Sequence, residues 1–289
     1  MNLRYAAKIE EWAQRWHNGD AAWVHERFGW FDPDDYGVDL IPRKTAVEFI
    51  RTHHYSRSVP AMRKYRFGLF YLAGDAPVLC GVLVLTIPAR KEVLTGVFPA
   101  LEAYYESAEI GRLVLLDQVP HGAEAWFVAD VRRWLAANTT IRGLVMHSDP
   151  EPREDNDGNI VLLGHAGTTY QALSAPCLGR TSPRRITLVN GLVFSDRARS
   201  KILNLEQGWR YAAQQLVDAG ADPFDVARDD PREWLPAALR QAGAKRRDHG
   251  GCWKYAAAVG VNARQRARVR IAGTPCAYPK LDLGQMKLF

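Results

Sequence analysis

Four short stretches bring together side chains that can move protons or hold a ligand. The first is His53-His54-Tyr55-Ser56, an imidazole pair, a phenol and a hydroxyl closing a predicted helix over 44–54. One histidine and Tyr55 suit acid–base work or metal ligation; the competing explanation is a histidine favoured by the helix C-terminal dipole. The second is Ser148-Asp149-Pro150, placed directly after an apolar run. Ligands of α/β sheets bind at the carboxyl ends of strands, and a carboxylate held there can accept a hydrogen bond from an amine. A plain Asp-Pro turn is the alternative. The third is Gly164-His165-Ala166-Gly167-Thr168-Thr169-Tyr170-Gln171. Its glycines permit close backbone approach, and Tyr170 can stack on a base or donate a proton; a glycine loop beside a core tyrosine fits equally. His147 or His165 could join a metal site, since imidazole is a common ligand. The fourth is Arg112 in an apolar run, followed by Pro120-His121-Gly122-Ala123-Glu124-Ala125 ahead of a helical pattern. Strand, loop and helix N-terminus can cradle a pyrophosphate on backbone N–H groups, although the spacing is neither Walker nor Rossmann.

The elements that must position these groups follow from periodicity. Leu3, Ala6, Ile9, Trp12 and Trp16 predict an amphipathic helix over 3–17. Residues 18–42 read as a loop-rich lead-in that packs its aromatics on the main body. Strands are expected at 66–73 and 78–87, joined as a hairpin through Gly74-Asp75-Ala76-Pro77. A buried strand at 108–116, a helix at 123–137 and a strand at 143–148 form a βαβ unit with parallel pairing. The helix should face inward with Ala125, Val128, Ala129, Val131, Trp134 and Leu135. The polar stretch 149–159 reads as an exposed loop, and 168–174 as a short helix. Residues 186–195 read as a strand or hairpin about Asn190-Gly191. Helices follow at 196–203 and 207–219, an irregular insert at 222–236, and a last strand near Cys252-Trp253-Lys254-Tyr255. The textures suggest three segments of one α/β body: 1–42, 43–221 and 222–289.

With 289 residues the chain can bury a sizeable core. No apolar run reaches membrane-spanning length, and the N-terminal stretch lacks the apolar region of a secretion signal. Cys80, Cys177, Cys252 and Cys276 form no C-x-x-C pair, so reduced thiols in a cytoplasmic protein are expected rather than a zinc site. Residues 240–289 hold 11 lysines and arginines against Asp248 and Asp282. That surplus suits a polyanion such as nucleic acid, or a solvated, solubilising tail.

Taken in order, H-Y-S, R-L-V-L, D-x-x-P, a Glu before a helix, S-D-P and H-x-G-x-x-Y-Q-A resemble the Mom-like DNA modification proteins of bacteriophages. The resemblance covers roughly 43–282 and reaches Tyr278-Pro279-Lys280, similar to a terminal Pro-Tyr-Pro-Lys run. Ala125 stands where that family tends to have Ser, and the 150–159 stretch is an acidic expansion. The resemblance implies an α/β fold like the GNAT acyltransferases, with a mixed central sheet flanked by helices. It implies a transferase that modifies adenine N6 in double-stranded DNA with a carbamoylmethyl or similar group, shielding phage DNA from host restriction in the host cytoplasm. His54, Tyr55, Asp149 and Tyr170 would be catalytic. Arg112, Leu113, Val114, Gly122, Glu124 and Ala125 would lie at the donor, which is acetyl-CoA or another acyl donor, an aminoacyl donor included. Iron is the implied metal, with His54 and His165 as its candidate ligands. Arg264, Arg266, Arg268, Arg270 and Lys280 would contact DNA, and a homodimer is a candidate assembly. The alternatives are an N-acyltransferase for a protein or small-molecule amine, and a non-catalytic DNA binder.

Overall fold

The computed structural model describes residues 12–17, 20–25, 31–58, 63–88, 90–120 and 122–280, the first two segments as backbone only. The strands are β1 Trp12–His17, β2 Asp20–His25, β3 Tyr36–Leu40, β4 Arg63–Tyr71, β5 Val78–Thr86, β6 Ser107–Leu115 and β7 Gly143–Ser148. They continue with β8 Arg153–Glu154, β9 Ile160–Leu162, β10 Cys177–Arg180, β11 Arg184–Val189, β12 Leu192–Phe194, β13 Lys245–His249 and β14 Trp253–Ala258. The helices are α1 Arg43–His53, α2 Glu92–Thr95, α3 Ala123–Asn138, α4 Thr168–Ala172, α5 Asp196–Leu203, α6 Trp209–Val217, α7 Pro231–Gln241 and α8 Ala263–Ala267.

Contacts divide the chain into two units: 1–150 with 165–180 and 252–289, and 151–164 with 181–251. This division differs from segments ending at 42 and 221. The chain leaves the first unit twice and returns twice, which texture read along a line does not register.

The first unit is built on a seven-stranded sheet of order β10-β14-β7-β6-β5-β4-β3. All its pairs are antiparallel except β6 with β7, which are joined by α3 as a βαβ unit should be. One face is sealed by α3. Phe127, Val128, Val131 and Leu135 pack there with Phe67, Leu83, Leu85, Ile110, Leu144 and Met146. Burying each such side chain stabilises the fold by about 1.5–3 kcal/mol. The opposite face receives Ala46, Phe49 and Ile50 of α1, spaced i, i+3, i+4, against Val82 and Val84. Leu94 of α2 and Phe98 cover Val145 and Ala256 on the same side.

The hairpin β4–β5, the parallel pair and the bounds of β7 agree with the sequence reading. Five expectations are corrected. Residues 12–17 are a strand paired residue by residue with 20–25 rather than the end of a helix; residues 3–11 of the expected helix lie outside the described residues. The lead-in contributes β3, whose five rungs with β4 satisfy its backbone, while Phe31 packs on Tyr36 and Trp126 as expected of its aromatics. On α3 the buried face is Ala123, Phe127, Val128, Val131, Leu135 and Ala136, with Ala125, Ala129 and Trp134 only partly covered. Phe127 is large enough to set the helix's rotation.

The second unit carries the other two corrections. Residues 149–159 are not all exposed loop, because β8 pairs with β9 and Arg153 is buried. The expected irregular insert holds the start of α7, where Asp230 accepts from the Arg232 N–H and Pro231 occupies the first turn. Its sheet has the order β12-β11-β13. Its core joins Val189 and Phe194 to Ile202 of α5, Leu216 of α6 and Leu235 of α7. No described helix of the chain is long and apolar enough to cross a membrane.

Candidate active site

The first unit's sheet opens at its one parallel junction. Strands β6 and β7 pair only from Ser107–Ile110 to Gly143–Met146. Beyond Ile110, β6 continues to Leu115 bonded to β5 alone. The register against β5 slips at the same place: Leu85 faces Ile110, and Val84 faces Arg112, leaving Gly111 unmatched. Such a bulge reverses the phase of a strand. Glu109 and Arg112, three residues apart, therefore project from the same face as Thr86 and Val84. Gly111 is required there. A Cβ on it would lie 2.3 Å from Thr86 Cγ2 and 2.7 Å from its hydroxyl.

Glu109 is wired on both oxygens. Oε2 accepts from the Thr86 hydroxyl at 3.3 Å, and Oε1 lies 2.9 Å from His147 Nδ1. A carboxylate at Nδ1 keeps the proton on that nitrogen and leaves Nε2 with its lone pair. Sequence reasoning named His147 only as a metal ligand and missed Glu109, because the residue sits inside an apolar strand pattern. Its single detectable signal was a charge where a buried strand should be apolar.

Arg112 turns toward the loop after α1. Nε donates to the Ser58 carbonyl at 2.8 Å, Nη2 to the Ser58 hydroxyl at 3.2 Å, and Nη1 to the Gly111 carbonyl at 2.6 Å. Burial pulls its guanidinium below the ordinary value, with Tyr55 and Glu109 acting in the opposite sense. Its observed work is thus to staple the 54–58 loop to β6. In that loop the helix ends because His54 is extended. The buried His54 ring accepts the Ser56 N–H on Nδ1 at 3.1 Å, with the Ser56 hydroxyl 2.9 Å from the same nitrogen. A backbone N–H can only donate, so Nδ1 is the acceptor and the neutral ring carries its proton on Nε2. Tyr55 lies against His54 with ring centroids 4.2 Å apart. His53 instead packs on Phe49 at the exposed side of α1.

Across the opening stand Asp149 and α4. The Asp149 carbonyl accepts the His165 N–H at 2.8 Å. Burial lowers the His165 pKa, with Asp149 opposing. Tyr170 is buried, 5.5 Å from the Tyr255 ring. Burial first, then Tyr55, Glu109 and Tyr255, raise its phenol well above the usual range. Burial likewise pushes Tyr255 up to about 12; its hydroxyl donates to the Ala166 carbonyl. Gln171 ties this corner together, donating to Ala166 at 3.0 Å, to the Tyr255 hydroxyl at 3.1 Å and to the Pro279 carbonyl at 3.1 Å. The Ser148 hydroxyl is buried and has no hydrogen-bond partner among the described residues. A Cβ placed on Gly167 would come 3.0 Å from it and 2.7 Å from the Tyr255 ring. Buried, unpaired polar atoms of this kind are uncommon and often belong to a ligand site.

The expected donor residues divide. The Leu113 and Val114 side chains pack into the cores on opposite faces of the sheet, so only their backbone is left for a ligand. At the start of α3, Gly122 has φ 92° and no side chain caps the helix; a Cβ at Gly122 would meet nothing within 4 Å. Glu124 and Ala125 occupy that first turn, partly buried. His121 lies outside the described residues. These features fit an extended amide chain along β6 and a phosphate at the helix end.

The iron expectation fits poorly. Ligation through His54 Nε2 would move the ring proton to Nδ1, against the Ser56 N–H. Among the described residues neither His54 nor His165 belongs to a group of three ligand atoms close enough to share an ion. Arg264 and Arg266 lie on α8, with Arg268, Arg270 and Lys280 following. All are exposed except Arg266, which donates to the Gly260 carbonyl at 3.2 Å.

Residues 35–227, which are 193 of the 289, match the Mom protein family. The chain belongs to the Mom protein family. The matched span contains His54, Tyr55, Glu109, Arg112, His147, Asp149 and Tyr170, and leaves α8 outside. A search of curated protein sequences finds no match. Among solved structures, this Mom family chain is similar to a ribosomal-protein-S5-alanine acetyltransferase from Vibrio fischeri, with 13% identity over 56% of this chain and 90% of that one, at a TM-score of 0.35. It is also similar to a tandem GNAT protein from the clavulanic acid biosynthesis pathway, with 8% identity over 78% of this chain and 75% of that one, at a TM-score of 0.33.

The lowered His165 pKa gives a pH prediction. An unfolded histidine binds its proton near pH 6.5, whereas the folded ring resists it. The unfolded state therefore binds more protons below that value, and stability falls as the pH drops through and below about 6.5. His53 shifts the same way. Urea midpoints from pH 8 to 5 should decline, and less steeply in His165→Gln. An unchanged slope in that variant would remove His165 as a contributor.

Proposed function

We propose that this chain transfers a small acyl-derived group, carbamoylmethyl or similar, to N6 of adenine in double-stranded DNA, and so disguises phage DNA from host restriction enzymes. The observation that carries the reading is the Glu109–His147 pair, 2.9 Å apart at the β6–β7 opening with Arg112 on the same face of β6, in a Mom family chain.

The chemistry follows from the wiring. Adenine inside a duplex is out of reach of an enclosed site, so the base is flipped out. Its N6 lone pair is delocalised into the ring, making it a poor nucleophile until the amine is held and its proton accepted. Asp149 accepts one N6 hydrogen bond. His147, with Nδ1–H directed at Glu109, takes the departing proton on Nε2. Tyr170 and Tyr255 stay protonated at neutral pH, which suits Tyr170 to donate a hydrogen bond toward developing negative charge. His54, with its proton on Nε2, is a donor and a support for Tyr55 rather than the base. The β6 backbone from Arg112 to Leu115 and the α3 N-terminus hold the donor. A bound acyl thioester supplies an activated carbonyl carbon. An acetyl donor alone would leave N6-acetyladenine, whereas carbamoylmethyl is joined as an alkyl amine and carries another nitrogen. An aminoacyl donor would supply that nitrogen but would still join N6 as an amide, so the finished group also requires a later step that rearranges the amide to the alkyl amine.

The test is to express the chain in bacteria, digest plasmid DNA to nucleosides and weigh them beside an Asp149→Ala control. A new adenosine-derived species is expected from the wild type and none from the variant, with duplex binding retained. Full product from Asp149→Ala would remove that residue from the mechanism. Unmodified DNA together with acylation of a protein or small-molecule amine would replace DNA by that substrate.

A further inference from the structure

The 11 cations of residues 240–289 do not sit together. Arg264 to Arg270 belong to the first unit, whereas Lys245, Arg246 and Arg247 form β13 of the second. Strand β13 is an edge of its sheet and pairs in register with β11, which begins Arg184-Arg185. Five cations thus occupy two adjacent strands, all exposed. Two are engaged: Arg185 bonds Asp248 at 2.9 Å, and Arg247 donates to the Pro152 carbonyl at 2.9 Å with Glu151 at 3.8 Å. The side chains of Arg184, Lys245 and Arg246 have no hydrogen-bond or ion-pair partner among the described residues.

We propose that this β11–β13 edge docks the phosphate backbone of duplex DNA; the inference rests on DNA being the substrate. The register places Arg184 opposite His249 and Lys245 opposite Leu188, so the cations span four residue steps, about 14 Å. That length covers about three phosphates, since successive phosphates along the backbone path lie about twice the axial rise of 3.4 Å apart. Strand alternation sends Lys245 and Arg247 to one face and Arg246 to the other. A backbone laid along the edge therefore meets cations from both sides. Arginine forks suit phosphate oxygens, and contacts of this kind hold DNA without reading its sequence.

The experiment measures duplex DNA affinity of the full chain from 50 to 300 mM salt. It compares the wild type, Arg184→Gln/Lys245→Gln/Arg246→Gln, and a first-unit comparator, Arg264→Gln/Arg268→Gln/Arg270→Gln. All three substituted side chains of the test variant are exposed, and thermal melting checks that it folds. Each lost phosphate contact should reduce the slope of log affinity against log salt by about 0.9. The test variant should therefore lose roughly 2.7 in slope and at least tenfold in affinity at the lowest salt. A wild type that modifies and binds DNA beside a test variant with unchanged slope overturns this inference and leaves the proposed activity standing. A wild type that neither binds nor modifies DNA overturns both. A test variant that self-associates while binding DNA as before would assign these cations to guarding a sheet edge, and also overturns the docking role.

Discussion

His147→Gln should lower the rate of adenine modification by about 10²- to 10⁴-fold with little change in DNA affinity, because in the proposed mechanism it removes the group that receives the N6 proton. Glu109→Gln should do nearly as much. Its Oε1 lies 2.9 Å from His147 Nδ1, and an amide there no longer fixes the proton on that nitrogen. Two residues acting as one device do not add, so the double variant should be scarcely slower than His147→Gln. Single-turnover rates read from product nucleosides check this. A Glu109→Gln rate within twofold of wild type would reduce the pair to a structural ion contact. Equal multiplicative losses in the double variant would separate the residues into independent roles.

Gly111→Ala should be the most damaging single-methyl change in the first unit's sheet. The added carbon meets three Thr86 atoms within 3.1 Å. Thr86 is buried and β-branched, with little rotamer freedom to yield. Overpacking of this kind costs about 1–3 kcal/mol, seen as a melting point lower by several degrees. Activity should fall further than stability implies, since the bulge gives Glu109 and Arg112 a common face and Thr86 holds Glu109 Oε2. Adding Thr86→Ala should restore most of the melting temperature but not the rate. Recovery of both would mean that neither the hydroxyl nor the phase of the strand matters to the chemistry.

What the sequence made legible was the regular part of this arrangement. The apolar Gly143–Ser148 run has the bounds of β7, and the alternation of β4 and β5 around Gly74–Pro77 gave their hairpin. Asp149 at the end of β7 followed from the strand pattern alone. The bulge did not. Ala108 to Leu116 reads as one unbroken buried strand, and nothing local marks Gly111 as the residue where the phase flips. With the bulge hidden, nothing in the pattern marks Glu109, and nothing near Arg112 points to its partner Ser58, 54 positions away. Strand β3 was missed because Gly37 and Asp39 interrupt its pattern; pairing with β4 supplies what propensity lacks. The start of α7 was hidden by Pro231 and Pro236, the first of which favours a helix start.

The order of the central sheet also sets a timetable for synthesis. Strand β7 gains its second neighbour only when β14 is made, about 105 residues later. A ribosome adding about 5–20 residues each second needs on the order of 5–20 s for that stretch. Through that interval the nascent chain carries the apolar Gly-Leu-Val-Met edge unpaired, the kind of edge that recruits other chains. Translation speed and chaperone access between residues 149 and 258 therefore bear on the yield of soluble protein alongside the stability of the finished sheet.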